Sequence, residues 1–355
     1  MIDARVPSGI GPSLRFRSPA WHPVAPGSAR RYARRMHEPI VSGLRDRLLI
    51  APEVADALRD GRPVVALEST LISHGLPYPR NIEVAGAAEA AVRESGAVPA
   101  TIAIRAGRLL VGLDAATLVE LATAADVRKV ARPTMAAALS AGVLGATTVS
   151  ATMLAADAAG IRVFATGGIG GVHPGAFEAI TGRDGRRRPP SLDVSVDLEE
   201  LARTPVVVVC AGPKAILDVR GTLEVLESRG VPVVSVGTDE LPGFFSRASG
   251  IRAPQHVADV AGAADVARTH LALGLGSGVL LCVPVPAADE LPREEAEAAI
   301  GRATEEADGA GIHGPALTPW VLQRVAELTD GRSIRANTAL IVNNARFAGR
   351  LAATI

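Results

Sequence analysis

The chain has 355 residues with 37 Lys or Arg and 37 Asp or Glu, so its formal net charge is zero. With 48% hydrophobic residues and a mean hydropathy of +0.25, it can bury a substantial core, which excludes wholesale disorder. Neutral charge and an isoelectric point near 7.1 argue against a dedicated nucleic-acid-binding protein. Two cysteines, Cys210 and Cys282, are too few for a disulfide framework or a four-ligand zinc site, and they fit a reducing cytosol.

Only two of the 37 cationic side chains are lysines, Lys129 and Lys214. Arg stays protonated and cannot act as an amine nucleophile, whereas a desolvated Lys amine can form a Schiff base. The bias allows two interpretations. Either the lysines mark positions where Arg cannot do the work, or they survive by chance in a chain whose codon usage has drifted.

The first 47 residues differ in composition from the rest, with nine arginines, several prolines and only three acidic residues. An Arg-rich, acid-poor segment is one signature of an organellar transit peptide. The simpler interpretation is a disordered leader, or a start codon placed too early with Met36 as the true start. We therefore predict a leader over residues 1–47 and a single domain over residues 48–355.

Residues 133–156 carry no charge, and this length can span a bilayer. Their content of Ala, Gly, Ser and Thr, with an interruption at residues 145–148, favours buried helix packing instead.

From Arg62 onward, short β-branched runs alternate with helical patterns. The runs predict strands at 63–67, 101–104, 109–111, 162–165, 206–210, 232–236 and 279–283. The helical patterns cover 83–94, 115–124, 215–228, 257–272, 294–308 and 334–355. Strands followed by helices of this length indicate an α/β domain with a largely buried sheet.

Two predicted strands are followed by residues that can carry chemistry. Lys214 comes after the strand 206–210 and is predicted to begin the helix 215–228, where ligands of open α/β sheets usually bind. A surface lysine is the alternative, although a cation is unfavourable at a helix N-terminus. Glu68 closes the strand 63–67 and is a candidate general acid or base, or else a cap of a helix or turn.

Lys129 is predicted to follow a helix, where a solvated cation is the simplest interpretation. Together with Arg132 it can instead hold a phosphate. Asp193, Ser195 and Asp197 alternate, so an extended segment places their side chains on one face. Two carboxylates there can hold a divalent cation whose shell is completed by water. A solvated edge strand explains the alternation equally well.

Two loops of small residues, 145–149 and 166–173, permit close backbone approach to a phosphate or sugar. The second loop runs from Thr166 to His173 and contains four glycines, but it matches neither the dinucleotide-binding spacing nor a P-loop. A tight structural turn also explains these glycines, although it leaves His173 without a role.

Taken together, seven segments resemble the pseudouridine-5′-phosphate glycosidase family, also called indigoidine-synthase-A-like. The resemblance runs in order over about residues 50–351. It rests on Ala66-Leu-Glu-Ser-Thr, Ser73-His-Gly-Leu-Pro-Tyr-Pro, Gly96-Ala-Val-Pro-Ala-Thr-Ile-Ala-Ile, Gly145-Ala-Thr-Thr-Val, Phe164-Ala-Thr-Gly-Gly-Ile-Gly-Gly-Val-His, Val209-Cys-Ala-Gly-Pro-Lys and Val342-Asn-Asn-Ala.

The resemblance implies reversible cleavage of the C–C glycosidic bond of pseudouridine 5′-phosphate to uracil and ribose 5-phosphate. It assigns a Schiff base with ring-opened ribose to Lys214, the proton donor to Glu68 and a manganese ion to Asp193. It assigns substrate contacts to Lys129, Val149, Thr166, His173, Ser195, Val196, Asp197 and Asn337. It also implies a mixed sheet flanked by helices on both sides, a homotrimer and a cytoplasmic location, with no membrane or nucleic-acid partner.

The chain departs from the family at an inserted, Arg-rich segment over residues 177–192, beside Asp193. This segment is either a surface loop or a lid that alters access. Pro174 and Pro213 are further departures. Two alternatives stay open: a related Schiff-base enzyme acting on another C-nucleotide or sugar phosphate, and a catalytically silent sugar-phosphate sensor. The joint presence of Glu68, Lys129, Asp193 and Lys214 disfavours the sensor.

Overall fold

The computed structural model describes residues 41–181, 187–312 and 317–355. Residues 1–40 of the predicted leader, with Met36, lie outside the described residues, and so do residues 182–186 of the inserted segment. The described end of the leader contains helix α1 (Val41–Arg45). Residues Gly43–Ile355 form one compact unit.

Eleven strands of the described chain form one mixed sheet, which confirms the predicted fold class. Its main path, in spatial order, is β1 (Leu48–Ile50), β4 (Arg108–Val111), β3 (Val98–Arg105), β2 (Val64–Leu67), β7 (Val163–Ala165), β10 (Val207–Cys210), β13 (Val279–Cys282), β11 (Val233–Val236) and β12 (Gln255–Val257). Beside β3, the antiparallel β6 (Gly145–Thr147) continues to β5 (Arg128–Val130). From β2 to β12 all neighbouring strands are parallel.

Helices cover both faces of the sheet, so its central strands are apolar throughout. On β10, Val207 and Val209 pack into one core cluster, whereas Val208 and Cys210 pack into the other, as the alternation of side chains along a strand requires. The first cluster takes α4 (Arg80–Glu94), α10 (Val260–Leu273), α11 (Arg293–Gly309), α12 (Leu317–Leu328) and α13 (Arg332–Ala352). The second takes α2 (Pro52–Arg59), α6 (Arg132–Ala141), α7 (Val149–Ala159), α8 (Val196–Leu201) and α9 (Val219–Ser228).

Three further elements lie at the edges of this core. The short helix α3 (Thr70–Ser73) follows β2, and α5 (Ala115–Thr123) follows β4. The inserted segment forms a two-stranded hairpin in which β8 (Ile180–Thr181) pairs with β9 (Arg187–Arg188).

Each predicted strand is present, with ends that differ by a few residues. The uncharged residues 133–156 divide among α6, β6 and α7. Among the described residues, no helix is both long and apolar enough to cross a membrane.

Two local predictions were wrong. The helix predicted from residue 215 begins only at Val219, because the carboxylate of Asp218 caps it by accepting a hydrogen bond from the backbone N–H of Gly221 at 2.9 Å. Lys214 therefore lies in a loop and not in a first helical turn. Lys129 follows α5 along the chain, as predicted, but it lies within β5 and not at the helix end.

The segment 193–197 was predicted to be extended with its three polar side chains on one face. Instead, Ser195 is the N-cap of α8, and its hydroxyl accepts from the backbone N–H of Asp197 at 3.2 Å. The helical turn separates Asp193, which is exposed, from Asp197, which is buried. The two carboxylates therefore do not share a face.

Candidate active site

A pocket of about 190 Å³ opens where the chain leaves β2, β6, β7 and β10. It brings together most of the side chains expected from the sequence. Its lining includes Glu68, Lys129, Val149, His173, Ser195, Val196, Asp197 and Lys214. Of the other expected residues, Thr166 lies behind Glu68, and Asp193 and Asn337 do not line this pocket.

Glu68 lies at the end of the buried strand β2 and is only 7% exposed. Two hydroxyl groups hold its carboxylate: Thr166 donates to Oε1 and Thr70 donates to Oε2. Burial with one hydroxyl on each oxygen fixes the orientation of the carboxylate. Glu68 is therefore held in one orientation at the pocket.

Lys214 is half-buried in the loop after β10. Its backbone N–H donates to the carbonyl of Ile169 at 3.0 Å, which ties this loop to the glycine-rich loop after β7. Gly212 precedes it with a φ of +91°, and a Cβ there would lie 3.0 Å from the carbonyl of Pro242. Only glycine adopts this conformation without strain. Ile216 and Leu217 add apolar surface to the pocket beside Lys214.

Lys129 reaches solvent at the pocket, yet protein atoms surround much of its side chain. This partial burial lowers the pKa of Lys129, and the positive charge of Lys214 lowers it further. The carboxylates of Glu68 and Asp197 act in the opposite direction. The two lysines of the chain therefore interact electrostatically in one pocket that also contains two carboxylates.

Arg132 does not join Lys129 in a phosphate-binding pair, contrary to one sequence interpretation. Its guanidinium lies 2.5 Å from the carboxylate of Glu200, which is fully buried. Thr204 donates a second hydrogen bond to Glu200. The Arg132 guanidinium is therefore paired with the buried carboxylate of Glu200.

The first turn of α7 lies at the pocket instead, with Thr148 as its N-cap and Val149 as its first residue. Backbone N–H groups and the positive end of the helix dipole at such a position attract anions. In the sequence, the hydroxyl groups of the loop 145–149 indicate an anion site at this turn. Of these residues, only Val149 was predicted as a substrate contact, and Thr148 was not. Thr70 and Gly170 were also missed. Thr70 is only two residues from Glu68 in sequence, whereas the contact of Gly170 with Asp197 spans 27 residues.

The carboxylate of Asp197 links two other segments of the pocket by hydrogen bonds. Its Oδ1 accepts from the backbone N–H of Ser150 at 3.0 Å and its Oδ2 from that of Gly170 at 2.9 Å. These two bonds join α7 and the glycine-rich loop to α8. Asp197 therefore has a structural role in addition to lining the pocket.

Asp193 is exposed, and its carbonyl accepts from the backbone N–H of His173 at 3.0 Å. Across the described ranges, no group of three or more His, Cys, Asp or Glu side chains is arranged to hold a metal. A divalent ion at Asp193 would thus be held by at most two such side chains of the described chain. Mg²⁺-like ions accept such sites because they retain most of their water ligands.

Comparisons with known proteins find relatives that cover most of the chain. A protein from Paracoccus denitrificans (strain Pd 1222), named pseudouridine-5′-phosphate glycosidase, is 53% identical over 310 residues, covering 87% of this chain and 98% of its own. A protein of the same name from Methylobacterium nodulans is 52% identical over 305 residues, covering 86% of this chain and 87% of its own.

Two solved structures share the fold. The prealnumycin C-glycosynthase in complex with ribulose 5-phosphate matches with a TM-score of 0.76 and 38% identity, covering 86% of this chain and 96% of its own. An indigoidine synthase A-like protein from Thermotoga maritima matches with a TM-score of 0.74 and 33% identity over the same shares of the two chains. The model of the family "Indigoidine synthase A like protein" matches residues 53–354. The chain therefore belongs to the indigoidine synthase A-like family of enzymes.

Proposed function

We propose that this enzyme reversibly cleaves the C–C glycosidic bond of pseudouridine 5′-phosphate, giving uracil and ribose 5-phosphate. The observation that carries the proposal is a single pocket lined by one oriented carboxylate, Glu68, and by both lysines of the chain. An amine, a proton donor and a cation for the phosphate are the groups that the reaction needs. The names of the relatives from P. denitrificans and M. nodulans favour this substrate.

In the proposed reaction, Lys214 and Glu68 have different roles. The amine of Lys214 forms a C–N bond to C1′ while the C1′–O4′ bond breaks, and Glu68 protonates O4′. The nitrogen of Lys214, positively charged after the attack, gives up a proton to the Glu68 carboxylate, and Glu68 then delivers this proton to C5 of uracil. The nitrogen lone pair of Lys214 forms the imine as the C1′–C5 bond breaks, and the electron pair of that bond returns to the uracil ring. Water hydrolyses the imine, which releases ribose 5-phosphate and regenerates Lys214.

The substrate phosphate would bind between Lys129 and the first turn of α7. Thr148 and Val149 line the pocket at that turn, where an anion is stabilised by the helix dipole. The glycine-rich loop, which ends at His173, and the α8 residues Ser195, Val196 and Asp197 would enclose the sugar. Asn337, on α13, stays a proposed substrate contact.

A divalent ion, for which we propose manganese, would be held by Asp193 with water completing its coordination. It would supply positive charge and ordered water near the substrate phosphate. An exposed carboxylate that belongs to no cluster of three or more such side chains in the described chain fits a largely hydrated ion. We further propose that the enzyme acts as a cytoplasmic homotrimer, as the sequence resemblance implies.

Incubation with pseudouridine 5′-phosphate and Mn²⁺, followed by chromatography for free uracil, tests the proposal. Lys214→Ala should release none. A Glu68→Gln variant should be slower by about 10²–10⁴-fold, the range for loss of a general acid–base group. If the wild-type enzyme releases no uracil, the proposed substrate is wrong.

A second candidate is formation of a C–C bond between a sugar phosphate and a different acceptor. It is favoured by the likeness to a C-glycosynthase whose structure contains ribulose 5-phosphate. Parallel incubations of ribose 5-phosphate with uracil and with other carbon nucleophiles separate the two functions. A protein that binds ribose 5-phosphate but converts nothing would be the sugar-phosphate sensor.

A further inference from the structure

Asn344 lies within α13 and is fully buried. Its side-chain Nδ2 donates to the carbonyl of Thr166 at 2.9 Å and to that of Gly167 at 3.4 Å. Its Oδ1 is buried and accepts no hydrogen bond within the described part of the chain. A half-satisfied amide in a helix interior is less stable than an apolar residue of similar size. A buried asparagine at this position is therefore explained by a function of its Nδ2 donor.

That donor reaches the first two residues of the glycine-rich loop. The backbone N–H of Thr166 is fixed to the carbonyl of Val209 on β10 at 3.0 Å. The carbonyl of Gly167 also accepts from the backbone N–H of Ala211 at 2.9 Å. With both sides of the Thr166 peptide held, its hydroxyl is directed to Oε1 of Glu68. Asn344 is thus two hydrogen bonds away from the proposed proton donor.

Close packing between α13 and the glycine-rich loop supports an effect of Asn344 on Thr166. A Cβ on Gly167 would lie 3.2 Å from Cγ1 of Ile341 and 3.5 Å from Cδ1 of Leu340, so α13 contacts the loop directly. Because two carbonyl oxygens converge on Asn344, only a donor fits there. An aspartate would direct acceptor oxygens against them.

We propose that Asn344 is a positioning residue: it fixes Thr166 so that the Thr166 hydroxyl orients the carboxylate of Glu68 for proton transfer. This role rests on the proposed function, in which Glu68 donates the proton. Asn344 is not among the residues that line the pocket, and its hydrogen bonds in the described chain go to Thr166 and Gly167, so it acts through Thr166.

The neighbouring Asn343 offers a matched control. It is half-buried on the same helix, and its Nδ2 donates to a different loop, at the carbonyl of Pro284 (3.2 Å). Asn344→Leu should lower kcat for uracil release about 10- to 100-fold, part of the effect of losing a general acid, with KM changed less than about twofold because the pocket lining is intact. Asn343→Leu should leave both parameters near wild type.

A double-mutant cycle separates positioning from general destabilisation. If Asn344 acts through Thr166, adding Asn344→Leu to Thr166→Val should lower kcat little beyond the single Thr166→Val change. Independent, multiplicative losses would overturn the proposal, and so would an Asn344→Leu enzyme with the kcat of Asn343→Leu. Should Asn344→Leu not fold, Asn344→Ser replaces it in the same cycle, with melting temperatures recorded for each variant.

Failure of the proposed function is distinguishable from failure of this role. Borohydride trapping of ribose 5-phosphate on Lys214 measures imine formation, which requires proton transfer but no C–C cleavage. Slower trapping in Asn344→Leu than in Asn343→Leu supports the role even if the wild type releases no uracil. Equal trapping rates overturn it, and a wild type that traps no sugar overturns both proposals.

Discussion

The carboxylate of Asp197 accepts a hydrogen bond from the backbone N–H of Gly170 at 2.9 Å. The second oxygen of this carboxylate takes the backbone N–H of Ser150 at 3.0 Å. One buried side chain thus sets the distance between the glycine-rich loop and the helix end proposed for the phosphate. The loop can approach this closely only because residue 170 has no side chain.

Gly170→Ala should therefore damage the pocket. A Cβ at this position would clash with Oγ of Ser195 and would lie 2.7 Å from Cβ of Ser195 and 2.9 Å from Oδ2 of Asp197. Displacing the loop by about 1 Å is expected to lower kcat/KM for uracil release by about 10²-fold.

Gly86→Ala is the matched control for that substitution. Gly86 lies within α4 with no heavy atom within 4 Å of an added Cβ. We expect unchanged activity and a free energy of unfolding higher by about 0.5–1 kcal/mol, because alanine is the better helix former. Activity of Gly170→Ala equal to that of Gly86→Ala would contradict the proposed loop geometry.

Position after a strand singled out Glu68 and Lys214 separately, and the structure places both in one pocket. Both follow buried strands of the parallel part of the sheet, and side chains at the carboxyl ends of such strands lie at one edge. The two threonine hydroxyls that bind Glu68 show what strand position alone does not predict. Thr70 is a neighbour in sequence, but Thr166 is 98 residues away, and only the spatial adjacency of β2 and β7 brings it close.

The wrong predictions share a cause. A helical pattern from residue 215 and an alternating pattern over residues 193–197 are local signals, and in both places a capping side chain, Asp218 or Ser195, decides where the helix begins. Arg132 was paired with Lys129 on sequence proximity alone. Its actual partner, Glu200, is 68 residues away and lies on a different helix.

Lys214→Arg should abolish uracil release. Arginine keeps the positive charge but cannot form the imine. Mass spectrometry after borohydride reduction with ribose 5-phosphate should find an adduct on Lys214 in the wild type and none in this variant. Lys129→Arg, which retains Lys214, should still form the adduct. A fully active Lys214→Arg enzyme would rule out the Schiff base.

The lowered pKa of Lys129 predicts a pH effect on substrate binding. Because burial and the charge of Lys214 both favour its neutral form, Lys129 loses its proton at a lower pH than an exposed lysine, whose pKa is about 10.4. KM should therefore rise with alkaline pH before an ordinary lysine would titrate. Lys129→Arg should show a flatter profile, since Arg stays charged. Arg128→Ala, at an exposed neighbouring position, should keep the wild-type profile, and a flat profile in the wild type would contradict the assignment.

Arg132→Ala should destabilise the fold without weakening substrate binding. The substitution leaves the fully buried carboxylate of Glu200 with Thr204 as its remaining hydrogen-bond donor. Removing one partner of a buried ion pair lowers the free energy of unfolding by about 3–5 kcal/mol. We expect about 3 kcal/mol, because the Arg132 side chain keeps 36% of its exposure. Urea denaturation measures this loss, and adding Glu200→Gln should recover part of it by removing the unpaired charge.

Arg105→Ala is the control for that loss. Its partner is Glu120, and both side chains are well exposed, at 50% and 38%, so the expected change is below about 1 kcal/mol. The KM for pseudouridine 5′-phosphate should stay near the wild-type value in both variants, because neither guanidinium lines the pocket. A KM that rises in Arg132→Ala as far as in Lys129→Ala would instead restore the Lys129–Arg132 pair as the phosphate site and displace the first turn of α7 from that role.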